Sequence, residues 1–382
     1  MSKTELLLRG GHVIDPSQGL DAVADVRFRD GRVAEIGPAL AAAGAAEVRD
    51  VTGCLVTPGL IDLHTHVYWG GTAIGVDATQ LALRSATATF VDAGTAGPGN
   101  FLGFRRHVLE PSRPVRIVPL LNLSFPGIFA FSRAVMVGES EDVRLLDIKS
   151  CVQVAREHAD LIVGIKVRVG RGASGSAGAF PLDMALEVAE ETGLPLMAHL
   201  DHPPPSRAEV MARLRPGDIL THCFRPFPNA PARPGGGVRD EILAARARGV
   251  IFDIGHGGGS LGFGTARAML DAGFLPDVVS SDVHVISIDG PAFDLLHTLG
   301  KFHALGMSVP QLVAAATLHP ARAIRRPDLG TLKPGIGADA SIVRIVETPT
   351  TYTDVEGVAI TGAHRWDSAG LVLSGAWWTA PA

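Results

Sequence analysis

The pattern of hydrophobic and polar positions divides the chain into two kinds of segment. Residues 4–56 alternate between apolar and polar positions over short stretches separated by Gly-Gly and Asp-Gly pairs, which is typical of antiparallel strands and tight turns. Asp30-Gly31 predicts a hairpin. From residue 57 onward, apolar runs alternate with stretches of helical periodicity. This second pattern is typical of parallel strands joined by helices.

Eight runs in the second part have the Val/Ile/Leu content of buried parallel strands. They are residues 59–67, 87–95, 115–124, 161–170, 195–201, 218–224, 250–257 and 278–284. The intervening segments include a predicted helix over 181–192, which Gly193 would end. Eight strands, each followed by a helix, predict an α/β fold of the (β/α)8 TIM-barrel type. An open doubly wound sheet is the alternative that strand counting leaves open.

The C-terminal part of the chain returns to short strands after two predicted helices in residues 308–324. The N-terminal sheet is the expected partner of these strands. We therefore predict two domains: a small discontinuous β-sandwich made of residues 1–56 and 335–382, and a barrel made of residues 57–334.

Composition excludes several classes of protein. Hydrophobic residues make up 46% of the 382 residues, enough for a sizeable core. A net charge of −5 and an aromatic content of 5% argue against a nucleic-acid partner. We expect no membrane partner and a cytoplasmic location, because no stretch approaches the ~20 apolar residues of a transmembrane helix and the first apolar run is too short for a signal peptide. Three dispersed cysteines predict neither a disulfide framework nor a cysteine zinc knuckle.

Two histidines lie near the end of the first predicted barrel strand. Because side chains alternate along a strand, Asp62, His64 and His66 share one face. Histidines two residues apart can reach one metal ion. Alone, this pair is more often two ordinary polar histidines.

The fourth predicted strand carries a lysine on its interior face. Every second residue from Leu161 to Val169 is apolar, so Lys166 and Arg168 point the opposite way, into the barrel. A buried lysine is costly unless it is paired or altered. Lys166 could form an ion pair with a carboxylate. Alternatively, it could have a lowered pKa, react with CO2 and offer a carbamate to a metal.

Three further polar residues end predicted strands five, six and eight: His199, His222 and Asp282. With the residues above, they place six candidate ligands at the face where barrel enzymes have their active sites. Imidazole and oxygen ligands suit zinc, with manganese or iron as alternatives. The sequence therefore predicts a divalent-metal site at this face.

The combined motifs resemble the amidohydrolase superfamily. They are PGLIDLHTH, a lysine on strand four, separate histidines on strands five and six, SSD on strand eight, and GTLKPGIGAD near the end. The resemblance covers nearly the whole chain. GIKVRVG, HLDHPPP and FDIGHGGGS are similar to the subgroup often labelled dihydroorotase-like, whose members include deacetylases of acylated hydroxy or amino acids.

This resemblance implies a binuclear metal site. His64, His66, Lys166 and Asp282 would bind the more buried metal, and Lys166 would be carboxylated. The carbamate would bridge to a second metal held by His199 and His222. The two ions would lower the pKa of a shared water and supply hydroxide. Asp282 is the candidate catalytic base, unless it is a ligand only.

Three residues are candidates for substrate binding. Arg168 suits a substrate carboxylate or an internal ion pair. Tyr68 suits a carbonyl oxygen or simple packing at the mouth. His256 on strand seven suits substrate, metal-bound water or the orientation of a neighbour. His284 is a weaker candidate.

Two departures from related groups narrow the expected activity. True dihydroorotases carry an arginine where this chain has Tyr68, and adenosine-type deaminases carry H-x-x-E where His199 is followed by His202. We expect hydrolysis of an amide or ester bond in a small acylated amino or hydroxy acid. The alternatives are a cyclic amide hydrolase of the hydantoinase, dihydroorotase or lactamase kind, and a non-catalytic scaffold. The partner would be a small-molecule substrate, and barrels of this kind often form homo-oligomers.

Overall fold

The computed structural model describes residues 5–379. Fifteen strands occur in this range: β1 Leu6–Asp15, β2 Leu20–Arg29, β3 Arg32–Gly37, β4 Glu47–Asp50, β5 Leu55–Pro58, β6 Leu60–Thr65, β7 Thr87–Ala93, β8 Arg116–Asn122, β9 Gly164–Val169, β10 Leu196–Leu200, β11 Ile219–Leu220, β12 Ile251–Phe252, β13 Ala340–Thr353, β14 Ala359–Leu373 and β15 Ala376–Trp377.

Ten α-helices occur in the same range: α1 Ala78–Arg84, α2 Phe101–Phe104, α3 Ile148–Glu157, α4 Phe180–Thr192, α5 Arg207–Arg213, α6 Asp240–Ala247, α7 Phe263–Asp271, α8 Leu295–Ala304, α9 Val309–Ala316 and α10 Leu318–Ala323. Helix α4 ends at Gly193 in the left-handed conformation, as predicted. Two closing helices are likewise confirmed in α9 and α10. No helix among the described residues is both long and apolar enough to cross a membrane.

Strands β6 to β12 form one curled parallel sheet in which each strand pairs with its neighbour in the chain. Residues 278–283 connect the two edges of this sheet, through parallel bridges of Val278 to Asp253 and of Val283 to Thr65. Asp62 of β6 reinforces the junction, because its carboxylate accepts hydrogen bonds from the Ser281 amide and hydroxyl. The result is a (β/α)8-like barrel.

The barrel strands shorten where the candidate ligands lie. Predicted strands six and seven each contain only two paired residues, and predicted strand eight is reduced to isolated bridges. The backbone explains the difference: φ is +62° at His222, +46° at Gly255 and +47° at Asp282. A positive φ interrupts an extended strand, so these segments turn into the mouth of the barrel instead of continuing the sheet.

A separate, largely antiparallel sheet contains strands from both ends of the chain. Its order is β15-β14-β13-β5-β1-β2-β3, with β4 also paired to β1. The predicted pairing of the C-terminal strands with the N-terminal ones is confirmed by β13, which pairs with β5. The predicted hairpin at Asp30-Gly31 is confirmed between β2 and β3. The sandwich is not confirmed, because the strands hydrogen-bond into one sheet.

The predicted domain boundaries, residues 1–56 with 335–382 and residues 57–334, stay a prediction. Residues 1–4 and 380–382 of the predicted β domain lie outside the described residues. Within the described part, β13 contributes Ala340 and Ile342 to the apolar core of the antiparallel sheet. The main core of the molecule lies between the barrel strands and the surrounding helices.

Ser341 of β13 connects the antiparallel sheet to the barrel. Its fully buried hydroxyl accepts a hydrogen bond of 2.9 Å from the amide of Leu60, and it donates to the carbonyl of Ala86. Replacing the serine by alanine would leave both backbone groups buried without partners, which costs about 1–3 kcal/mol per group.

We predict that Ser341→Ala lowers the free energy of unfolding by about 2–4 kcal/mol, as measured by urea denaturation. Ser368→Ala is the matched control, because this half-buried serine of β14 forms no side-chain hydrogen bond within residues 5–379. Equal stability of the two variants would contradict the proposed role of Ser341 as the connection between sheet and barrel.

Candidate metal centre

Three buried side chains form the centre of the candidate site. His64 lies on β6, His222 follows β11, and Asp282 lies in the segment that connects the sheet edges. One nitrogen or carboxylate oxygen from each lies within 4.8 Å of the others. The cluster fits a metal site, because imidazole and carboxylate at this spacing are ordinary ligands of divalent ions.

The other three predicted ligands adjoin this centre. His66 Nε2 is 3.3 Å from Asp282 Oδ1, and His64 Nε2 is 3.4 Å from the same oxygen. Lys166 Nζ is 3.3 Å from His64 Nε2. The ring of His199 lies 4.4 Å from that of His222 between centroids. The structure therefore brings all six predicted residues together.

Hydrogen bonds behind the rings direct their Nε2 atoms toward the centre. His222 Nδ1 donates to the carbonyl of Gly255 at 2.6 Å. His64 Nδ1 is 2.7 Å from Thr221 Oγ1, which itself donates to Asp253 Oδ2 at 2.7 Å. Since this hydroxyl proton is directed to Asp253, the hydroxyl accepts from His64 Nδ1–H. In both histidines Nε2 is therefore unprotonated and suited to bind a metal.

Two atoms at the centre have no hydrogen-bond partner among the described residues: His199 Nε2 and Asp282 Oδ1, both buried. Such groups cost free energy unless something binds them. Burial also lowers the pKa of His64 and His199 well below the usual value, so both rings are neutral at neutral pH. Neutral imidazole and unpartnered oxygen are the donor state that a cation requires.

The side chain of Lys166 packs closely against the backbone of Gly94. A Cβ on Gly94, whose φ is +74°, would lie 2.5 Å from Lys166 Cβ, so only glycine fits there. Lys166 Nζ lies 3.4 Å from Met197 Sδ and contacts no carboxylate at ion-pair distance among residues 5–379. Burial lowers the pKa of Lys166 to about 7. The structure therefore does not contain the lysine–carboxylate ion pair that the sequence left as an alternative.

Above the cluster, a cavity of about 300 Å³ opens to solvent. All the predicted ligands except the buried Lys166 line it, together with Arg168. One wall is apolar and consists of Ile74, Ile128, Phe131, Met136, Val137 and Ile286. The cavity thus combines candidate metal ligands with apolar side chains, as a site for a small organic molecule would.

The three predicted substrate-binding residues have different surroundings. Arg168 lines the cavity, and its Nη1 donates to Glu139 Oε2 at 2.9 Å. Tyr68 packs on Phe104 and donates to the carbonyl of Asn100, so it lies away from the cavity lining.

His256 is a correction to the predicted position at the rim. It is fully buried and absent from the cavity lining. Its Nε2 accepts a hydrogen bond from Lys301 Nζ at 2.6 Å, and Nδ1 lies 2.8 Å from the carbonyl of Gly257. Because the strand ends at Phe252, residue parity could not show which way this ring points. Of its three predicted roles, only the orientation of a neighbour fits this position.

Sequence reasoning missed several residues of the cavity. Arg225 and Ser260 line the cavity and were absent from the prediction, as was Glu139, the partner of the lining residue Arg168. His284, given there as a weaker candidate, does line the cavity. Arg225 follows His222 by three residues, so its position after a predicted strand was an available signal. Glu139 lies in a long loop without recognisable pattern.

Comparison with known proteins identifies the class of this barrel. The family model described as "Amidohydrolase family" matches residues 55–363. A protein named deacetylase Atu3266 from Agrobacterium fabrum is 35% identical over 334 residues, which are 86% of this chain and 80% of the relative. The chain belongs to the amidohydrolase family, and it is a hydrolytic enzyme acting on a small molecule.

Solved structures agree on the fold and differ in the reaction their names state. A crystal structure of an adenine deaminase has a TM-score of 0.90 at 27% identity and covers 98% of this chain and 99% of its own. A crystal structure of a dihydroorotase has a TM-score of 0.88 at 30% identity, with the same coverage. A dihydroorotase from Geobacter sulfurreducens matches over only 62 residues, 16% of this chain and 15% of the relative, at 53% identity. Fold similarity alone therefore does not select the substrate.

We predict that Thr221→Val weakens divalent-metal affinity by about 10–100-fold, because His64 Nδ1 and Asp253 both lose a hydrogen-bond partner. Zinc affinity is measured by competition with a fluorescent chelator. Thr298→Val is the control, since this buried threonine of α8 bonds only to a backbone carbonyl. An affinity within twofold of the wild-type value would show that Thr221 does not support the ligand.

Proposed function

We propose that this enzyme is a binuclear metal-dependent hydrolase that removes an acyl group from a small amino or hydroxy acid. The observation that carries the proposal is the convergence of six nitrogen and oxygen donors beneath a cavity of about 300 Å³, with His199 Nε2 and Asp282 Oδ1 buried and unpartnered. Relatives named deacetylase support the same reaction class.

The six side chains divide between two metal positions in this proposal. His64, His66, Lys166 and Asp282 would hold the more buried ion, and His199 and His222 would hold the second; the side chains adjoin one another as this division requires. Lys166 would contribute to holding both ions if its amine were converted to a carbamate by CO2. A pKa of about 7 supports this, because much of the amine is then neutral and nucleophilic at physiological pH. The donor set suits zinc, with manganese and iron as alternatives.

The metal ions would supply polarisation of the scissile carbonyl and a lowered pKa for an attacking water. Asp282 is the proposed general base. Its Oδ1 faces His64 and His66, and the carboxylate lines the cavity, so it can take a proton from water and return it to the leaving amine or alkoxide. The backbone of Asp282 is fixed by the hydrogen bond of 2.7 Å from its amide to the carbonyl of His64.

The cavity supports an open-chain acylated acid rather than a cyclic amide. Tyr68 occupies the position of the dihydroorotase arginine, does not line the cavity and donates its hydroxyl hydrogen bond to the carbonyl of Asn100. The relatives named deacetylase match 86–93% of this chain, whereas the Geobacter dihydroorotase matches 16% of it. The apolar wall beside the metal-binding end offers a surface for the side chain of an amino or hydroxy acid.

We predict that the wild-type protein hydrolyses N-acetyl amino acids or O-acetyl hydroxy acids at least 100-fold faster, by kcat/KM, than dihydroorotate or hydantoin. Release of acetate and loss of ring absorbance are the two measurements. Faster ring opening than deacylation would replace this function with the cyclic amide alternative.

We also predict that bicarbonate governs metal loading through Lys166. Metal-free wild-type protein should take up about two ions per chain with bicarbonate and clearly fewer in CO2-depleted buffer, by elemental analysis. Lys166→Ala should show low uptake in both buffers, whereas Lys149→Ala, which alters an exposed lysine, should behave as wild type. Full loading of Lys166→Ala would contradict the bridging role.

A further inference from the structure

Two guanidinium groups line the cavity, and their surroundings differ. Arg168 donates to Glu139 Oε2 at 2.9 Å, and the side chains of this pair are only 11% and 3% exposed. Its guanidinium also lies 5.0 Å from the centre of the Phe131 ring. The charge of Arg168 is therefore already compensated within the protein, and the pair is well placed to hold the 125–147 loop against the barrel.

Arg225 is compensated less directly, because the carboxylates of Asp201 and Asp282 act on its charge from beyond ion-pair distance. Its Nη2 donates to Ser260 Oγ at 2.8 Å, while its Nε is buried without a hydrogen-bond partner. Arg225 forms no ion pair with any carboxylate of residues 5–379. Its pKa is lowered by burial to about 10, so the group is still cationic at neutral pH.

A cation in this position needs an anionic partner. A buried guanidinium without a hydrogen-bonded counter-charge is costly, and its planar donors match the two oxygens of a carboxylate. The cavity that Arg225 lines also contains Asp282 and the histidines at one end and the apolar wall at the side. A ligand with a carboxylate near its acyl group could contact the Arg225 guanidinium, the candidate metal ligands and the apolar lining residues at the same time.

We propose that Arg225 is the specificity residue that binds the substrate carboxylate, with Ser260 orienting its guanidinium, and that Arg168 is a structural cation held by Glu139. This inference rests on the proposed deacylase function and defines its substrate class: α-acylamino or α-acyloxy carboxylic acids with an apolar side chain. It replaces the sequence-based assignment of carboxylate binding to Arg168.

The test compares matched charged and neutral substrates. The probes are both enantiomers of N-acetylleucine and of O-acetyl-2-hydroxy-4-methylpentanoate, each paired with its carboxamide. In Arg225→Met, the ratio of kcat/KM for carboxylate over carboxamide should fall at least about 30-fold, which corresponds to about 2 kcal/mol. The loss should reside mainly in KM, since the interaction is made in both ground and transition states.

Three further variants separate binding from structure. Arg225→Lys keeps the charge without the planar fork, so its ratio should fall between those of wild type and Arg225→Met. Ser260→Ala should lower the ratio about 3–10-fold, because it removes the hydrogen bond that orients Arg225. Arg267→Met is the matched control at an exposed arginine of α7 and should keep the wild-type ratio. If Arg225→Met does not fold, the proposal is tested by the carboxylate-to-carboxamide ratios of Arg225→Lys and Ser260→Ala.

A binding measurement makes the test independent of turnover. N-methanesulfonyl-leucine replaces the scissile acetyl group by a sulfonyl group, and its Kd for the purified metalloprotein is measured by calorimetry. Arg225→Met should raise this Kd at least about 30-fold relative to Arg267→Met and leave that of the carboxamide nearly constant. Equal losses for acid and amide would overturn the role of Arg225, as would a larger selective loss in the double variant Arg168→Met/Glu139→Gln.

The two proposals fail in different ways. If the wild type hydrolyses none of the acetyl compounds, the deacylase function is wrong, whereas selective binding of N-methanesulfonyl-leucine would still support Arg225. If the wild type hydrolyses acid and carboxamide equally well, the deacylase function stands and the assignment of Arg225 is wrong.

Discussion

The burial of nitrogen and oxygen donors at the mouth of the barrel is the constraint on which the rest of the structure depends. Polar groups removed from water must be paired. In this protein the Nδ1 atoms of His64 and His222 are hydrogen-bonded, whereas His199 Nε2 and Asp282 Oδ1 have no partner within residues 5–379 and can bind a ligand. The carbonyl of Gly255 accepts a hydrogen bond from His222 Nδ1, and the hydroxyl of Thr221 accepts one from His64 Nδ1. Asp253 beneath them accepts from Thr221 and Ser280, so the support extends over three adjacent strand segments.

The backbone is adapted to the same constraint. His222 and Asp282 both have positive φ, a conformation that costs free energy for residues with a side chain and that occurs mostly where function requires it. The neighbouring chain must come close to them: a Cβ on Gly257 would lie 2.2 Å from Asp282 Oδ2, and one on Gly255 would lie 2.4 Å from Thr221 Oγ1. The backbone conformation of the segments that follow the strands therefore determines how the candidate ligands are oriented, and the sheet holds these segments in place.

Much of the fold and of the cluster was predictable because it depends on periodicity and position. Strand parity placed His64 on the interior face of β6 and Lys166 on that of β9, and the apolar runs gave the order of the barrel strands. Parity fails once the backbone leaves the extended conformation. His256 follows a strand of two paired residues and hydrogen-bonds to Lys301 of α8, which no local pattern could indicate. The pairing of Arg168 with Glu139 depends on a long loop folding back, so the sequence could not show that Arg168 is neutralised. The two strand segments that end at His222 and Asp282 were predicted too long for the same reason.

In the proposed enzyme, the six donors hold two metal ions with a modified Lys166 between them. The most direct measurement is a crystal structure of protein purified without chelator, with anomalous scattering recorded above and below the zinc absorption edge. The account predicts two anomalous peaks, one contacting His64, His66 and Asp282 and the other contacting His199 and His222, with electron density for a carbamate on Lys166 between them. A single peak with Lys166 as a free amine, or a cluster without any metal after reconstitution, would contradict it.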